Sequence, residues 1–240
     1  MVLRPEDVEA DPITRLEELR QSRGKFIVVE GNVGVGKTSF TERLATLRGD
    51  RTRLFPEPVD KPAFRTLLGR YYEDPARWGF VFQMYALKER FKQHTLAAEL
   101  VANGYDAVQD RSIYADGCFG RLVHMDGNMT QEEWDIYADS FGNLKRFLRY
   151  PDLMVYLRAD PEVCHDRTKL RGRSEEAGVP LDYLRRLHDE HEELVDAMSR
   201  FTRVVVLDWN EFPLDLTNVV SNIDEALSED VRFLKDFARL

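Results

Sequence analysis

The glycine-rich stretch "EGNVGVGKTS" at residues 30–39 constrains the fold more than any other part of the chain. It follows the apolar run "KFIVV" and precedes "FTERLATL", whose apolar residues have helical spacing. Gly31, Gly36, Lys37 and Thr38 therefore match the P-loop pattern G-x-x-x-x-G-K-[ST] between a strand and a helix. In that context backbone N–H groups and the helix N-terminus surround a phosphate group, so we expect a nucleotide site.

Two side chains of this stretch add specific contacts to the phosphates. Lys37 supplies a positive charge for the β- and γ-phosphates, and the Thr38 hydroxyl can ligate Mg²⁺. The alternative is a strand–helix turn that binds nothing, but the complete pattern in this context favours the nucleotide site. The candidate phosphate-binding residues of the loop are Gly31, Asn32, Val33, Gly34, Val35, Gly36, Lys37, Thr38 and Ser39.

Five short apolar runs alternate with longer segments of helical periodicity. They lie at residues 25–30, 52–57, 105–110, 153–158 and 203–208. Most are apolar throughout, as expected for strands covered on both faces. Alternating strands and helices predict an α/β fold with a five-stranded parallel sheet flanked by helices. Ligands of such sheets bind at the carboxyl ends of the strands.

We expect a single domain over residues 1–240, because no repeat, low-complexity tract or long linker divides the chain. We expect residues 1–23 to be an N-terminal preamble with one short helix. Residues 214–240 carry apolar residues at helical spacing and predict a helical tail. Cys118 and Cys164 are far apart in sequence, which is typical of reduced thiols in a cytoplasmic protein.

The composition excludes several classes of partner. The formal net charge of −9 argues against a general nucleic-acid backbone binder, which needs a basic face. No run of 18 apolar residues predicts a membrane span. The N-terminus resembles neither a signal nor a transit peptide. We therefore expect a cytoplasmic protein that binds neither nucleic acid nor a membrane.

Glu57, in "FPEPV" at the end of the second apolar run, predicts the kind of acceptor. A carboxylate beside the expected γ-phosphate repels the triphosphate, so its presence there needs a functional reason. One such reason is general-base work on a neutral hydroxyl, whereas an acceptor that is itself a phosphate favours arginine. The alternative is a solvated glutamate between two turn prolines.

The third apolar run ends in "QDRS" and supplies two further candidates. Asp110 can hold Mg²⁺ together with Thr38, directly or through water. Arg111 can contact the acceptor oxygen or the transferring phosphoryl group. The alternative is a surface ion pair.

The segment "CHDRTKLRGRSEEAGVP" after the fourth run predicts a lid over residues 163–178. Arg167 and Arg171 are four residues apart and share a helix face, and Arg173 follows them. Such a basic face can close over a triphosphate. The alternative is a solvated charged face. For His188 and His191, on a later amphipathic segment rich in acids, we expect solvated side chains and no metal.

Taken together, these motifs resemble the deoxyribonucleoside kinases, on the deoxycytidine/deoxyguanosine branch. The resemblance covers roughly residues 24–213 and implies a P-loop kinase that acts in nucleotide salvage. It further implies ATP or another NTP as phosphate donor, a deoxynucleoside acceptor, dependence on Mg²⁺ and a homodimer. The matching stretches are "EGNVGVGKTS", "PEPV", "YYEDPARWGFVFQMYA", "QDRSIYADGCF", "RGRSEEAGVPLDYLRRLHDEHE" and "VVVLDWNEFP".

The resemblance also implies roles at matching positions. Glu57 would activate the 5′-hydroxyl, Arg111 would assist at the same oxygen, and Lys37 completes the catalytic set. Tyr72 and Glu176 would bind the sugar 3′-hydroxyl. The residues implied at the substrate's base are Gln83, with Trp78, Phe82, Phe119 and Phe147 as stacking partners. The residues implied beside the donor's base are Asp208, Trp209 and Asn210. The implied lid arginines are Arg167, Arg171 and Arg173.

Base selectivity is implied at three positions that face the substrate base in the family, namely Ala86, Arg90 and Asp116. Asp116 can accept a hydrogen bond from an exocyclic amine and can pair with Arg90. The pair narrows the space that a thymine 5-methyl group needs, so we expect deoxycytidine and purine deoxynucleosides to be preferred over thymidine.

Two other functions stay open at this point. A nucleoside monophosphate kinase of the thymidylate type shares the P-loop, an Asp-Arg motif and a lid, but Glu57 argues against a phosphorylated acceptor. A non-catalytic nucleotide-binding regulator would not need Lys37, Glu57, Asp110 and Arg111 together.

Overall fold

A five-stranded parallel sheet forms the centre of the computed structural model, which describes residues 24–172, 178–213 and 215–228. The strand order β2-β3-β1-β4-β5 confirms the predicted α/β fold, that of a P-loop kinase. The second strand ends two residues earlier than predicted, because Pro56 and Pro58 have no N–H to donate to a neighbouring strand. The strands are β1 (Phe26–Gly31), β2 (Thr52–Phe55), β3 (Asp106–Asp110), β4 (Leu153–Arg158) and β5 (Arg203–Asp208).

Helices cover both faces of the sheet. They are α1 (Lys37–Arg48), α2 (Pro62–Glu73), α3 (Pro75–Ala102), α4 (Asp116–Met125), α5 (Gln131–Arg146), α6 (Pro161–Arg171), α7 (Leu181–Met198) and α8 (Thr217–Ser228), with a short 3₁₀ helix at Pro58–Asp60. Side chains of β1 alternate between two cores. Ile27 and Val29 pack with α1 and α8, whereas Phe26 and Val28 pack with α3 and α5. A strand buried on both faces reads as a continuous apolar run.

The register of the central strands brings the sequence motifs together. β1 pairs with β3 so that Val29 lies opposite Asp110. The Arg111 backbone N–H then donates to the Val29 carbonyl over 3.0 Å. The start of the P-loop and the Asp110–Arg111 pair therefore lie side by side at the carboxyl ends of two neighbouring inner strands.

Helix α3 differs from an ordinary core helix because several of its buried side chains are polar. Asp74 caps its N-terminus by accepting a hydrogen bond from the Arg77 backbone N–H, and Pro75 occupies the first turn. Gln83, Arg90 and Gln93 are at most 8% exposed. Buried polar groups need partners, and those of α3 find them at the site described below.

Helix α8 lies within residues 214–240, for which the sequence predicts a helical tail. Val220, Ile223 and Leu227 of α8 are buried, as their helical spacing predicts. Residues 1–23 and 229–240 lie outside the described part of the chain. Within that part, no helix combines the length and apolar character needed to cross a membrane.

A close approach between α4 and α5 predicts a matched pair of glycine variants. A Cβ atom on Gly120 would lie 2.2 Å from the Tyr137 ring, which is fully buried, whereas a Cβ on Gly69 in α2 meets nothing within 4 Å. We expect Gly120→Ala to lower the free energy of unfolding by about 1–3 kcal/mol because the helices must separate. Gly69→Ala should raise it by up to about 1 kcal/mol. Urea denaturation measures both, and equal effects would contradict the packing argument.

Candidate active site

A single cavity of about 570 Å³ lies at the carboxyl ends of the strands and joins the P-loop to an aromatic chamber. The P-loop side includes Lys37, Thr38 and Ser39, and the far side includes Phe82 and Gln83. Other predicted residues in its wall are Val33, Gly34, Gly36, Glu57, Tyr72, Arg90, Arg111, Phe119, Arg167 and Arg171. Residues far apart in sequence thus line one space.

The P-loop has the backbone geometry that a phosphate cradle needs. Gly34 and Gly36 have φ angles of 81° and 104°, in the left-handed region that favours glycine. The Lys37 ammonium donates to the carbonyls of Gly31 and Asn32 over 3.1 and 3.0 Å. Burial, with Arg111 adding repulsion, lowers the Lys37 pKa to about 8. An anionic phosphate at this place would raise the Lys37 pKa again and favour the charged form further.

Thr38 and Asp110 form the predicted oxygen pair for a metal ion. The Thr38 hydroxyl donates to Asp110 Oδ2 over 2.8 Å, while the buried Oδ1 atom has no hydrogen-bond partner. Burial raises the pKa of Asp110. Hydroxyl and carboxylate oxygens suit Mg²⁺, which is held by few protein ligands together with phosphates and water. The described residues contain no cluster of three His, Cys, Asp or Glu side chains that could hold a metal by itself.

Glu57 lies between two guanidinium groups. Its Oε1 atom accepts hydrogen bonds from Arg111 Nε over 2.9 Å and from Arg90 Nη2 over 3.2 Å. Burial favours a raised pKa, but Arg111, Lys37 and Arg90 outweigh it and lower the Glu57 pKa to about 2. Glu57 is therefore an anion whose position is defined by two cations.

Helix α3 fixes the loop that carries Glu57. Gln93 Nε2 donates to the Pro56 carbonyl over 2.6 Å, and Glu89 pairs with Lys61 at the end of the loop. Together with Arg90, these α3 side chains bind the loop before, at and after Glu57. The loop that carries the Glu57 carboxylate is thus anchored to a rigid helix.

The far end of the cavity is backed by a buried polar cluster. Arg90 Nη1 pairs with Asp116 Oδ1, and the Tyr137 hydroxyl donates to Asp116 Oδ2 over 2.7 Å. Gln83 Nε2 donates to the Asp116 backbone carbonyl over 3.4 Å. Ala86 is buried beside Phe82 rather than in the cavity wall. Arg90 consequently contacts both Asp116 and Glu57.

The aromatic residues divide into those that reach the cavity and those that do not. Phe82 stacks on Tyr71 at 5.5 Å, and Phe119 lies 4.7 Å from the Arg111 guanidinium. Trp78 instead lies against Arg70, outside the cavity wall, and Phe147 is 85% exposed at the end of α5. The structure therefore does not bring these last two to the predicted base site.

The cavity wall also contains apolar and aromatic residues that sequence reasoning missed. They are Val59, Phe64, Leu68, Tyr71, Val123, Leu170 and Tyr183. Phe212, from the matching stretch "VVVLDWNEFP", also lies in the wall. The spacing of Phe64, Leu68 and Tyr71 at i, i+4 and i+7 marks one face of α2 and was an available signal. The spacing alone does not show that this face meets a ligand.

Arg167 connects α6 to the P-loop and to the segment after β5. It donates to the carbonyls of Val35, Trp209 and Asn210 over 3.2, 2.8 and 2.8 Å, and its guanidinium lies 3.9 Å from the Phe212 ring. Trp209 is buried. The Asp208 carboxylate accepts a hydrogen bond from the Asn210 backbone N–H. The side-chain oxygen of Asn210 accepts one from the Asp160 backbone N–H. Arg173 and Glu176 lie outside the described residues.

The expectation for one histidine is wrong. His191 is fully buried, because α7 turns this position towards the sheet, where its ring stacks on Tyr156 at 6.2 Å. His188, one turn earlier, has a partly exposed side chain 3.6 Å from Glu192.

Comparisons with known proteins give one matching family model and several named relatives. The family model described as deoxynucleoside kinase matches residues 27–231. The chain is 32% identical to deoxyadenosine kinase of Dictyostelium discoideum, over 88% of this chain and 82% of that protein. It is 31% identical to deoxyadenosine/deoxycytidine kinase of Bacillus subtilis (92% and 98% covered). It is 35% identical to deoxycytidine kinase of Bos taurus (71% and 75% covered).

The buried Tyr137 hydroxyl predicts a stability effect. Tyr137→Phe removes a donor from the buried Asp116 carboxylate, so we expect the free energy of unfolding to fall by about 1–3 kcal/mol. Tyr105→Phe, at a tyrosine that is 40% exposed, is the control and should change it by less than about 0.5 kcal/mol. Chemical denaturation with an unchanged slope measures both. Equal stabilities of the Tyr137→Phe variant and the wild type would contradict the role of this bond.

Proposed function

The chain belongs to the deoxynucleoside kinase family, whose members are phosphotransferases with an alcohol group as acceptor, and we propose which alcohol it phosphorylates. In the proposal, the γ-phosphoryl group of ATP or another NTP passes to the 5′-hydroxyl of a deoxynucleoside, in nucleotide salvage. The observation that carries it is the Glu57 carboxylate, held by Arg90 and Arg111 in the cavity that also contains the P-loop.

The charge balance at this point supports a neutral acceptor. Glu57 and Asp116 already neutralise Arg90, and Glu57 also binds Arg111. A monophosphate acceptor of the thymidylate-kinase type would have to bring a second anion beside Glu57. A hydroxyl group instead finds a hydrogen-bond acceptor of fixed position.

The proposed chemistry is direct in-line transfer. Glu57 accepts a hydrogen bond from the 5′-hydroxyl and orients its lone pair towards phosphorus. Its low pKa makes it a weak base, so it takes the proton late, when the new O–P bond has made the hydroxyl acidic. Arg111 stabilises charge at the same oxygen, and Lys37 stabilises charge on the phosphates.

Mg²⁺ fits the donor set of Thr38 and Asp110, which offers a hydroxyl and an unpartnered carboxylate oxygen. In our proposal these two residues hold the ion. When bound, it neutralises phosphate charge.

The deoxynucleoside is proposed to lie in the aromatic chamber. Gln83 offers both a donor and an acceptor to the base, and Phe82 and Phe119 supply faces for stacking. Tyr72 lines the cavity and is proposed to bind the 3′-hydroxyl together with Glu176.

Base preference is proposed to depend on Arg90 and Asp116. The pair is buried, and Tyr137 holds the second oxygen of Asp116, so the cluster is rigid. A rigid charged pair offers no apolar contact to the methyl group of thymine. We therefore propose deoxycytidine and purine deoxynucleosides over thymidine. Relatives named as deoxyadenosine, deoxycytidine and deoxyguanosine kinases support this preference.

The donor end is proposed to include the segment Asp208–Asn210 and a lid carried by α6. Arg167 and Arg171 lie on one face of α6, and both line the cavity. With Arg173, they are proposed to close over the triphosphate and spread its charge.

We also propose that the chain is one domain and acts in the cytoplasm. The supporting observation for the location is that Cys118 and Cys164 are free thiols, as in reducing compartments.

A homodimer is the proposed assembly, through the outer surface of α3 and α5. Ile136 and Phe147 are 54% and 85% exposed and lie eleven residues apart, so they share one side of α5. Val81 and Leu96 of the neighbouring α3 are also exposed. Exposed apolar residues on two neighbouring helices are typical of an interface between copies.

The dimer proposal predicts a monomeric double variant. We expect Ile136→Glu with Phe147→Glu to halve the mass measured by size-exclusion chromatography with light scattering, because two carboxylates would be buried in an apolar contact. Leu47→Glu, at an exposed leucine of α1 on the other side of the sheet, should leave the mass unchanged. A wild-type monomer, or a dimeric double variant, would contradict the assignment.

The substrate class is tested by initial rates of ADP release with deoxycytidine, deoxyadenosine, deoxyguanosine, thymidine and their monophosphates. We expect turnover of nucleosides, led by deoxycytidine or the purines. Turnover confined to monophosphates would mean that the thymidylate-type alternative is correct.

The proposed base is tested by Glu57→Gln, which keeps the shape of the side chain and removes its charge. We expect kcat to fall by about 100-fold or more while the Kd for ATP changes by less than about threefold. Glu73→Gln, at the exposed end of α2, is the matched control and should match the wild type. Unchanged turnover by the Glu57→Gln protein would rule out Glu57 as the base.

A further inference from the structure

Arg111 adopts a backbone conformation that needs support from its surroundings. Its φ angle is 63°, and it is the one non-glycine residue with a positive φ in the described part of the chain. A side chain with a Cβ is disfavoured in this region and persists there only where several contacts define it. Arginine at this point is therefore held in place by neighbouring groups.

The guanidinium of Arg111 has a separate partner on each of its edges. Nε donates to Glu57 over 2.9 Å, and Nη2 donates to the Gly31 carbonyl over 3.2 Å. Nη1 lies 3.3 Å from Nε2 of His191. Because Nη2 binds β1 and Nη1 contacts α7, the Nε edge of the guanidinium faces Glu57.

The ring of His191 has only one tautomer compatible with its contacts. Nδ1 lies 2.7 Å from the Leu187 carbonyl, which can only accept, so Nδ1 carries the proton. Nε2 then has a lone pair, which accepts from Arg111 Nη1. Burial and the charges of Arg111, Lys37 and His188 hold the pKa of His191 well below its usual range. The ring is therefore neutral and matches the donor that it meets.

A second contact supports the same turn from β1. The buried Glu30 carboxylate accepts from the backbone N–H and the hydroxyl of Ser112 over 2.7 and 2.6 Å. Its other oxygen lies 3.9 Å from Arg111 Nη1. The residue after Arg111 and one edge of its guanidinium are thus both held from β1.

We propose that His191 is a positioning residue for the phosphoryl-transfer site, whose neutral Nε2 fixes the Arg111 guanidinium so that its Nε edge presents to Glu57. The kinetic consequence rests on the proposed function, because it assumes that Arg111 acts at the acceptor oxygen. The rival explanation is that His191 fills space, since its ring also packs against Phe119 and Tyr156.

Two amide variants separate positioning from space filling. In His191→Gln the amide oxygen can reach the place of Nε2 and accept from Arg111. In His191→Asn the shorter amide replaces Nδ1, keeps the bond to Leu187 and loses the acceptor. We expect similar melting temperatures for the two variants, but a kcat at least roughly tenfold lower for His191→Asn than for His191→Gln. The KM for ATP should be equal in both.

A double variant shows whether the effect passes through Arg111. In an Arg111→Ala background the Asn and Gln variants should have the same residual kcat, because the group that they position is gone. Equal kcat values of the single variants in the wild-type background would overturn the proposal. So would a loss that persists undiminished without Arg111.

The tautomer can be tested without any activity. The chain has 5 histidines, and ¹⁵N-labelled histidine with His191→Gln as the assignment control identifies the His191 signals by NMR. We expect a protonated Nδ1, an unprotonated Nε2 and no titration between about pH 5.5 and 8.5. A protonated Nε2, or a pKa near the usual value, would overturn the inference. If the wild type phosphorylates no nucleoside, the proposed function fails, and this measurement still decides the role of His191.

Discussion

The contact of one carboxylate with two guanidinium groups organises the site. Glu57 follows β2, Arg111 follows β3, and Arg90 lies in the middle of α3, so three separate elements meet at one oxygen atom. Removing charges from water is costly, and the cost is offset only when the geometry is good and the remaining polar atoms have partners. The surrounding structure supplies several of those partners. Gln93 and Glu89 hold the loop of Glu57, and His191 and the Gly31 carbonyl hold Arg111.

The same cluster joins the two ends of the cavity. Arg90 contacts Glu57 on the side of the P-loop and Asp116 behind the aromatic chamber, and the Tyr137 hydroxyl of α5 donates to Asp116. Gln83, Arg90 and Gln93 lie seven and then three residues apart, so they share one face of α3. In the proposed function, a single helix thereby sets the distance between the acceptor hydroxyl and Gln83, which is proposed to bind the base. This explains why α3 buries polar residues where a packing helix would bury leucines.

Much of the fold follows from local patterns. The five strands lie where continuous apolar runs are, and the P-loop is recognisable because all its residues are consecutive. The contact of Thr38 with Asp110 could also be predicted, since the carboxyl ends of parallel strands all lie on the same side of the sheet. Trp78, Phe147 and His191 could not be placed in this way. Trp78 and His191 lie on helices and Phe147 directly follows one, and the helical period does not show which neighbour a given face meets.

The sequence by itself determined the α/β class, the P-loop and the presence of a carboxylate just after β2, because these depend on short spacings and strand ends. Only the tertiary structure decided which aromatic residues line the cavity, that Arg90 bridges Glu57 and Asp116, and that His191 supports Arg111. These contacts join residues 26 to 80 positions apart, and their geometry depends on how helices are rotated and stacked on the sheet. That arrangement is set by packing of the whole core, which no local pattern contains.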